Sequence, residues 1–400
     1  MEEGSPLDAL VFLTLIAAGW FVLAGRNVRV AEIIQDNPWL TLFLAYCLIS
    51  IVWSDFPFNA LKRWIKILGH PIMVLIVFTE PDPKEALMRL FKRCAYILLP
   101  VSILWMKYYP VLGRKFTEYG SVSNCGVTAG KNALGNTSAI LGLFFVWHFL
   151  QVWRQEKSKS RSRELQLTAG LLLLAGYCLA KAHSATSDIC FMLGVATMIG
   201  LAIRSVNKKM IGIYALAAIL ALVIAQLSFD IYGKIVNMSG HGANIIGRGV
   251  LWHDLLALRT NPLLGVGFET FWLEPWIIKL HEGRAWQPNE AHNGYLEIYL
   301  NLGGIGLAIL ATWIIATFRK IRLELIKNLE WGRIQMAVLV AIVAHNWTES
   351  GFKGLGFAFF IFFIIALNYP KLRFGAPQAR AETGVWDQEP ELVYSPDKIG

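Results

Sequence analysis

Long apolar runs alternate with short polar, charge-bearing stretches along most of the chain, and the runs are too uniformly apolar to be the buried stripes of soluble helices. They predict membrane-spanning helices near Leu7–Leu23, Pro38–Trp53, Trp64–Phe78, Cys94–Met106, Leu134–Trp153, Leu165–Ala180, Ile189–Ile203, Met210–Leu227, His292–Phe318, Ile334–Trp347 and Leu355–Leu367. The expected fold class is therefore all-α, a polytopic membrane bundle of about 11–12 transmembrane helices. One polar stretch breaks the rhythm. Residues 228–291 form a loop well beyond the roughly 15 residues at which a connection is functional or disordered, and its aromatics argue against disorder. The expected organisation is a transmembrane domain over residues 1–368, with that loop outside the bilayer, and a loosely ordered, Pro-rich and charged cytoplasmic tail over 369–400.

Composition agrees with the pattern: 55% of residues are hydrophobic, there are 15 Trp, and the mean hydropathy is +0.48. Of the 5 Cys, Cys47, Cys178 and Cys190 fall inside spans, Cys94 at a span end and Cys125 in a loop, so no disulfide framework or zinc spacing can be built. Met1-Glu2-Glu3 lacks the basic start of a cleavable signal, and the first helix is expected to stay.

Orientation follows from the basic loops, which cytoplasmic sides retain. Arg154, Lys157, Lys159, Arg161 and Arg163, then Arg204, Lys208 and Lys209, then Arg319, Lys320, Arg322, Lys327 and Arg333 belong inside, with even numbers of crossings between them. The loop after Leu227, the stretches Lys107–Lys131 and Ser54–Arg63, and the acidic N-terminus then lie outside. The net charge of +9 is mostly this bias and does not indicate nucleic-acid binding.

Chemistry concentrates at the outer loop. His292 stands at the mouth of a predicted helix directly after it. Val250, Leu251, Leu255 and Leu258 recur at helical spacing between Gly247 and the stop at Asn261-Pro262, which predicts a helix on the membrane surface with Arg248 near its N-terminal end. Two glycine motifs fail as nucleotide loops. Gly265-Val266-Gly267 has no preceding strand and no third glycine, while Cys125 and Asn132 occupy the places where a P-loop needs Gly and Ser or Thr.

Gly247-Arg248 with Trp252, Asn261-Pro262-Leu263-Leu264-Gly265-Val266-Gly267-Phe268, Ala291-His292-Asn293-Gly294-Tyr295-Leu296-Glu297 and Leu302-Gly303-Gly304-Ile305-Gly306 follow one another in order. With Gly130-Lys131-Asn132-Ala133-Leu134-Gly135 and Thr348-Glu349-Ser350, this series resembles the O-antigen ligase and the O-antigen and exopolysaccharide polymerase superfamily over about residues 120–355. The resemblance implies an integral glycosyltransferase of the bacterial inner membrane, with its active site facing the periplasm. Such an enzyme moves a glycan from an undecaprenyl-diphosphate carrier to lipid A-core in a ligase, or to another carrier-linked glycan in a polymerase. Its partners would be these lipid-linked substrates and membrane lipid, and it needs no cofactor.

Breaking a sugar–diphosphate bond calls for positive charge on the leaving group, to which guanidinium is well matched, and for a base that takes the acceptor's proton. The resemblance assigns the base to His292 and the diphosphate to Arg248 and Arg284. The chain has no Asp-x-Asp pair on the outer face, so a metal-independent, inverting transfer is expected. Arg63 and Lys131 are further outer-face cations suited to phosphate, with interface anchoring as the alternative. Asn293, Glu297, His345 and Glu349 are supporting residues, either for catalysis or as hydrogen-bonding groups between helices. His292 itself reads either as the base or as a helix-start residue bonded to the loop. Arg248 reads alternatively as a lipid head-group ligand and Arg284 as a partner of Glu282.

The chain departs from many members where a Ser-Arg pair ends the span at Leu165–Ala180. Here Lys181-Ala182-His183-Ser184-Ala185-Thr186-Ser187 stands instead, so Lys181 or His183 would supply the charge. That segment and Gly267-Phe268-Glu269-Thr270-Phe271-Trp272 look more like exopolysaccharide branches. The ligase reading is therefore followed by a polymerase reading, and then by a lipid-linked glycan transporter, for which repeat symmetry and broken helices are expected and neither is visible in the sequence.

Overall fold

The computed structural model describes residues 6–116, 122–217, 220, 242–258, 260–282 and 287–369. Arg284, the first part of the outer loop and nearly all of the predicted tail lie outside these residues.

The described residues are mainly helical: α1 Pro6–Gly25, α2 Val30–Asp36, α3 Pro38–Ile49, α4 Pro57–Ile67, α5 Gly69–Phe78, α6 Pro83–Tyr108, α7 Pro110–Gly113, α8 Lys131–Trp153, α9 Lys159–Ala182, α10 Ala185–Ala202, α11 Gly242–Ala257, α12 Trp276–His281, α13 Gly294–Lys327, α14 Leu329–His345 and α15 Phe357–Ala366. A short antiparallel pair, β1 Arg114–Phe116 and β2 Val122–Asn124, sets Arg114 opposite Asn124. Helix starts follow local rules. Pro opens α3, α4 and α6, where its missing N–H costs nothing, and Asp82, Ser158 and Asn328 accept from the first-turn amides of Glu85, Arg161 and Trp331.

Every described predicted span falls on helix. Among the described residues five helices are long and apolar enough to cross a membrane alone, namely Leu7–Gly25, Lys131–Trp153, Lys159–Ala182, Ala185–Ala202 and Gly294–Lys327. A sixth arises if α2 and α3, bent by 103°, count as one span. Of the other predicted spans, Cys94–Met106 lies within the longer, more polar α6, Ile334–Trp347 and Leu355–Leu367 fall on the shorter α14 and α15, and half of Met210–Leu227 lies outside the described residues. Trp64–Phe78, expected as one helix, divides at Leu68 into α4 and α5, because Pro71 cannot donate into the ladder that would continue α4.

α8 is the central post: 78% of its apolar window is buried, against 11% for α1 at the periphery. An aromatic block ties α3, α13 and α15 together, with Trp313 lying 4.8 Å from Phe362, 5.2 Å from Phe363 and 5.6 Å from Phe43. In a lipid surround this close packing, rather than exclusion of water, holds helices together.

α13 is not continuous. Gly303 adopts φ 65°, ψ −168°, and the segment Asn261–Gly267 crosses at the break. Gly267 N donates to Asn301 O at 2.8 Å and Gly304 N to Pro262 O at 2.8 Å, so the loop satisfies the backbone groups that the break releases. A Cβ at Gly303 would lie 2.2 Å from the Leu263 carbonyl, and one at Gly265 (φ 69°) 2.4 Å from that of Asn301, so both contacts require glycine. A broken helix is thus present where none was expected, because its cause is a loop some forty residues earlier in the chain.

This crossing plants the outer loop on the bundle. Leu251 and Leu255 of α11 join Phe271, Trp272, Ile277, Leu280, Ala291 and Leu300 in a second core. The surface helix predicted from Gly247 is present but begins at Gly242, which puts Arg248 in its second turn rather than at its start. Packing of Leu251 and Leu255 outweighs the roughly 1 kcal/mol that each of Gly247 and Gly249 costs a helix.

Candidate active site

The segments expected outside meet at one end of the bundle, and the basic loops meet at the other. At the first end, α8 and α10 begin, α14 ends and α13 begins, and their termini close around one carboxylate, Glu349.

Glu349 lies in the turn after α14, where its N–H donates to His345 O at 3.0 Å. Its side chain is buried. Oε1 accepts from Arg248 Nη2 at 2.7 Å and from Asn132 Nδ2 at 2.7 Å, while Oε2 stands 3.3 Å from His292 Nδ1. Arg248 also donates through Nη1 to Thr348 O at 2.6 Å. Burial pushes the Glu349 carboxyl up, but the hydrogen bond with His292 and the charges of Arg248, His292 and His345 outweigh it and hold it below its usual range. It is ionised and matched.

His292 sits in the left-handed region at φ 49°, a conformation that costs a non-glycine residue about 1–3 kcal/mol and persists only when its surroundings enforce it. They do. Ala291 N donates to Glu297 Oε2 at 2.9 Å and Ala291 O accepts from Trp252 Nε1 at 2.8 Å. Gly294 N is held by Asn346 O at 2.8 Å and Glu349 O at 3.0 Å. A second carboxylate, Glu290 Oε1, lies 3.2 Å from the same Nδ1. Burial pushes the Glu290 carboxyl up against the opposing pull of His292 and Lys353. Two carboxylates facing Nδ1 keep the ring's proton on that nitrogen, which makes Nε2 the proton-accepting atom. Glu290, His292 and Glu349 also offer donor atoms that all lie within 4.8 Å of one another, close enough for one cation.

The remaining predicted residues divide sharply. Asn293 caps α13, its Oδ1 accepting from Tyr295 N at 3.0 Å and Leu296 N at 3.1 Å. Glu297 is buried, accepts from Trp272 Nε1 at 2.7 Å and lies 3.5 Å from Lys353 Nζ, so it fastens the loop to α13. Arg63 on α4 donates to Glu269 O, whose carboxylate accepts from Gly354 N, and this second polar patch adjoins the first through Lys353. Lys131 opens α8 beside Asn132 and makes no ion pair among the described residues. His345 is buried beneath Glu349, and neither of its ring nitrogens has a hydrogen-bond partner among the described residues. Lys181 packs on the Tyr177 ring, 5.7 Å from its centroid, and His183 is an exposed left-handed cap at φ 48°. Neither reaches Glu349.

What reaches it from that departing segment is uncharged. Ser184 Oγ donates to Asn132 Oδ1 at 3.1 Å, and the hydroxyls of Thr186 and Thr348 are 2.8 Å apart. Sequence reasoning overlooked Glu290 and Asn132 as participants. Glu290 stands two residues before His292, and Asn132 belongs to a quoted motif, so the signal was proximity to known positions.

Comparison with known proteins fits this arrangement. A family model described as O-Antigen ligase matches residues 169–311, which include Arg248 and His292. The chain is 26% identical over 293 residues to the exopolysaccharide production protein ExoQ of Rhizobium meliloti (strain 1021), a match that covers 70% of this chain. It spans 64% of that relative's length. The ordered motifs, the helical multi-pass architecture and both matches agree in supporting the O-antigen ligase and polymerase superfamily for this chain.

Proposed function

We propose that the protein transfers a glycan from a polyprenyl diphosphate to a sugar hydroxyl at the periplasmic face of the inner membrane, without a metal and with inversion at the anomeric carbon. The observation that carries this reading is Glu349, which joins a guanidinium and an imidazole through one carboxylate. His292 Nε2 takes the acceptor hydroxyl proton, and the oxygen attacks the anomeric carbon. The bond to diphosphate oxygen breaks with its electrons on the leaving group. Glu349 and Glu290 stabilise the imidazolium that results. Arg248 balances the departing diphosphate, helped by Arg63 and Lys131 from the rim, and Arg284, which lies outside the described residues, takes the same role by its place in the sequence.

The carrier's tail lies between helices. A cavity of about 500 Å³ lined by Trp20, Leu40, Leu44, Leu48, Trp64 and Leu75 supports this, because Trp64 adjoins Arg63 and an apolar tail there would lead toward the phosphate-binding rim.

The acceptor is a second carrier-linked glycan, which makes the enzyme a polymerase. Exopolysaccharide production, named for the relative that aligns with most of this chain, requires chain growth. The ligase reading, with lipid A-core as acceptor, draws on the family description that matches residues 169–311. Reconstitution of the purified protein with a labelled carrier-linked oligosaccharide, with and without lipid A-core, separates these readings. Longer carrier-linked glycans mean polymerase, and label on lipid A-core means ligase. No product from wild type, or full activity in His292→Ala, overturns the transferase mechanism in favour of transport.

A further inference from the structure

The geometry points to a second property of the same cluster: Glu290, His292 and Glu349 form a site for a zinc-like divalent transition-metal ion, and a bound ion switches transfer off. The binding half stands on the donor atoms alone. The inhibitory half rests on the reading of His292 as the base.

Metal–nitrogen and metal–oxygen bonds of about 2.0–2.2 Å at a tetrahedral angle put neighbouring donors about 3.3–3.5 Å apart. His292 Nδ1 lies 3.2 Å from Glu290 Oε1 and 3.3 Å from Glu349 Oε2, which matches that spacing, and all three donors lie within 4.8 Å of one another, so the two carboxylates need only close on a shared ion. The set is also held in place. Arg248 and Asn132 occupy Glu349 Oε1 only, leaving Oε2 for the ion while they orient the carboxylate, as outer partners do in established metal sites. The backbone bonds on either side of His292 fix the ring's approach.

The donor chemistry selects the ion. One imidazole with two carboxylates suits zinc or cobalt, whereas magnesium and calcium favour oxygen throughout. Two carboxylates facing one guanidinium leave local negative charge for a dication to balance.

Inhibition follows from proton positions. An ion on Nδ1 takes the lone pair there, so the neutral ring's single proton must move from Nδ1 to Nε2. Nε2 has no lone pair left for the acceptor hydroxyl, so the nucleophile cannot be activated.

The test uses the purified full chain in detergent, titrated with Co²⁺ and followed by its visible absorption, then displaced with Zn²⁺. Wild type is expected to bind one ion with tetrahedral absorption. His292→Ala and Glu290→Gln should bind at least about tenfold more weakly, and Asn132→Ala, which frees an outer partner, about tenfold more weakly. His253→Ala, at an exposed His253–Asp254 pair 3.3 Å apart, should bind like wild type. Absence of Co²⁺ binding by wild type, or equal binding by Glu290→Gln and His292→Ala, overturns the site. In the transfer assay Zn²⁺ should abolish product and a chelator restore it. Binding with those variant dependences but without inhibition overturns the switch and, with it, the role of His292 Nε2, while the metal site stands.

Discussion

Helix α14 has a carboxylate at each end, and the two clusters around them look alike at first. Glu330, in the first turn, pairs with Arg333 at 2.5 Å and Arg154 at 2.6 Å and accepts from Gln151, while Trp147 Nε1 donates to its carbonyl at 2.8 Å. Glu349, past the last turn, has Arg248, Asn132 and His292. The difference lies in balance and strain. Around Glu330 two guanidiniums face one carboxylate on regular, capped helix. Around Glu349 there is a second carboxylate, a left-handed His292 and a buried His345 whose nitrogens have no hydrogen-bond partner among the described residues. Among the described residues buried nitrogens without hydrogen-bond partners occur at both ends, at Arg333 Nε and at His345, so what sets the Glu349 end apart is its second carboxylate and its strained histidine, which keep capacity for a ligand and for moving a proton.

The hardest blow to this contrast comes from His292→Ala. Loss of a general base typically costs about 10²–10⁴ in rate, so carrier-linked product should vanish from the gel while the protein still purifies as a folded species. A variant within threefold of wild type would make the left-handed turn a structural feature and nothing more.

The paired substitutions Glu349→Gln and Glu330→Gln test the two ends directly. Glu349→Gln should lower transfer about 10–100-fold, because the imidazolium loses its matched carboxylate. Glu330→Gln should leave transfer intact and destabilise the fold, since buried Arg333 loses its counter-charge. Breaking a buried pair costs up to about 3–5 kcal/mol, and the partial exposure of Glu330 and Arg154 reduces this to about 1–3 kcal/mol. Thermal melts and rates measured on both variants should cross over; parallel losses would erase the distinction. Arg248→Lys is milder still. It keeps charge but cannot hold Glu349 and Thr348 O together, which predicts about a tenfold fall in rate.

The sequence made most of the helical layout and the grouping of loops at the two ends of the bundle legible because both depend on local composition: apolar length marks helices, and basic residues mark one end. Breaks with distant causes were not legible. Gly303 is visible in its motif, but only the arrival of Asn261–Gly267 explains why the helix opens there. The site shows the same limit. His345 and Glu349 share a face by spacing, yet the bonds to Glu349 come from Arg248, 101 residues away, and Asn132, 217 residues away. Conversely, Lys181 and His183 were drawn in by charge alone. Charge says nothing of direction, and Lys181 turns onto Tyr177.

The smallest effect isolates a third carboxylate at the same end, Glu274, which is buried beside Asp55 and, among the described residues, is not paired with a guanidinium as Glu349 is. Burial first, and Asp55 second, push its carboxyl from 4.5 up to about 7. Between those values the folded chain keeps a proton that the unfolded chain has lost, so stability falls as pH rises through the window and levels off above it. Glu349 acts in the opposite sense: its lowered carboxyl contributes stability above the ordinary range, and that contribution is lost as pH falls. Glu274→Gln should therefore raise the melting temperature by a few degrees at pH 8 and hardly change it at pH 5. Glu349→Gln should instead cost more at pH 8 than in strong acid. If both variants shifted alike with pH, the two carboxyls would share one environment, and the division at this end between an acid paired with a guanidinium and one without would fail.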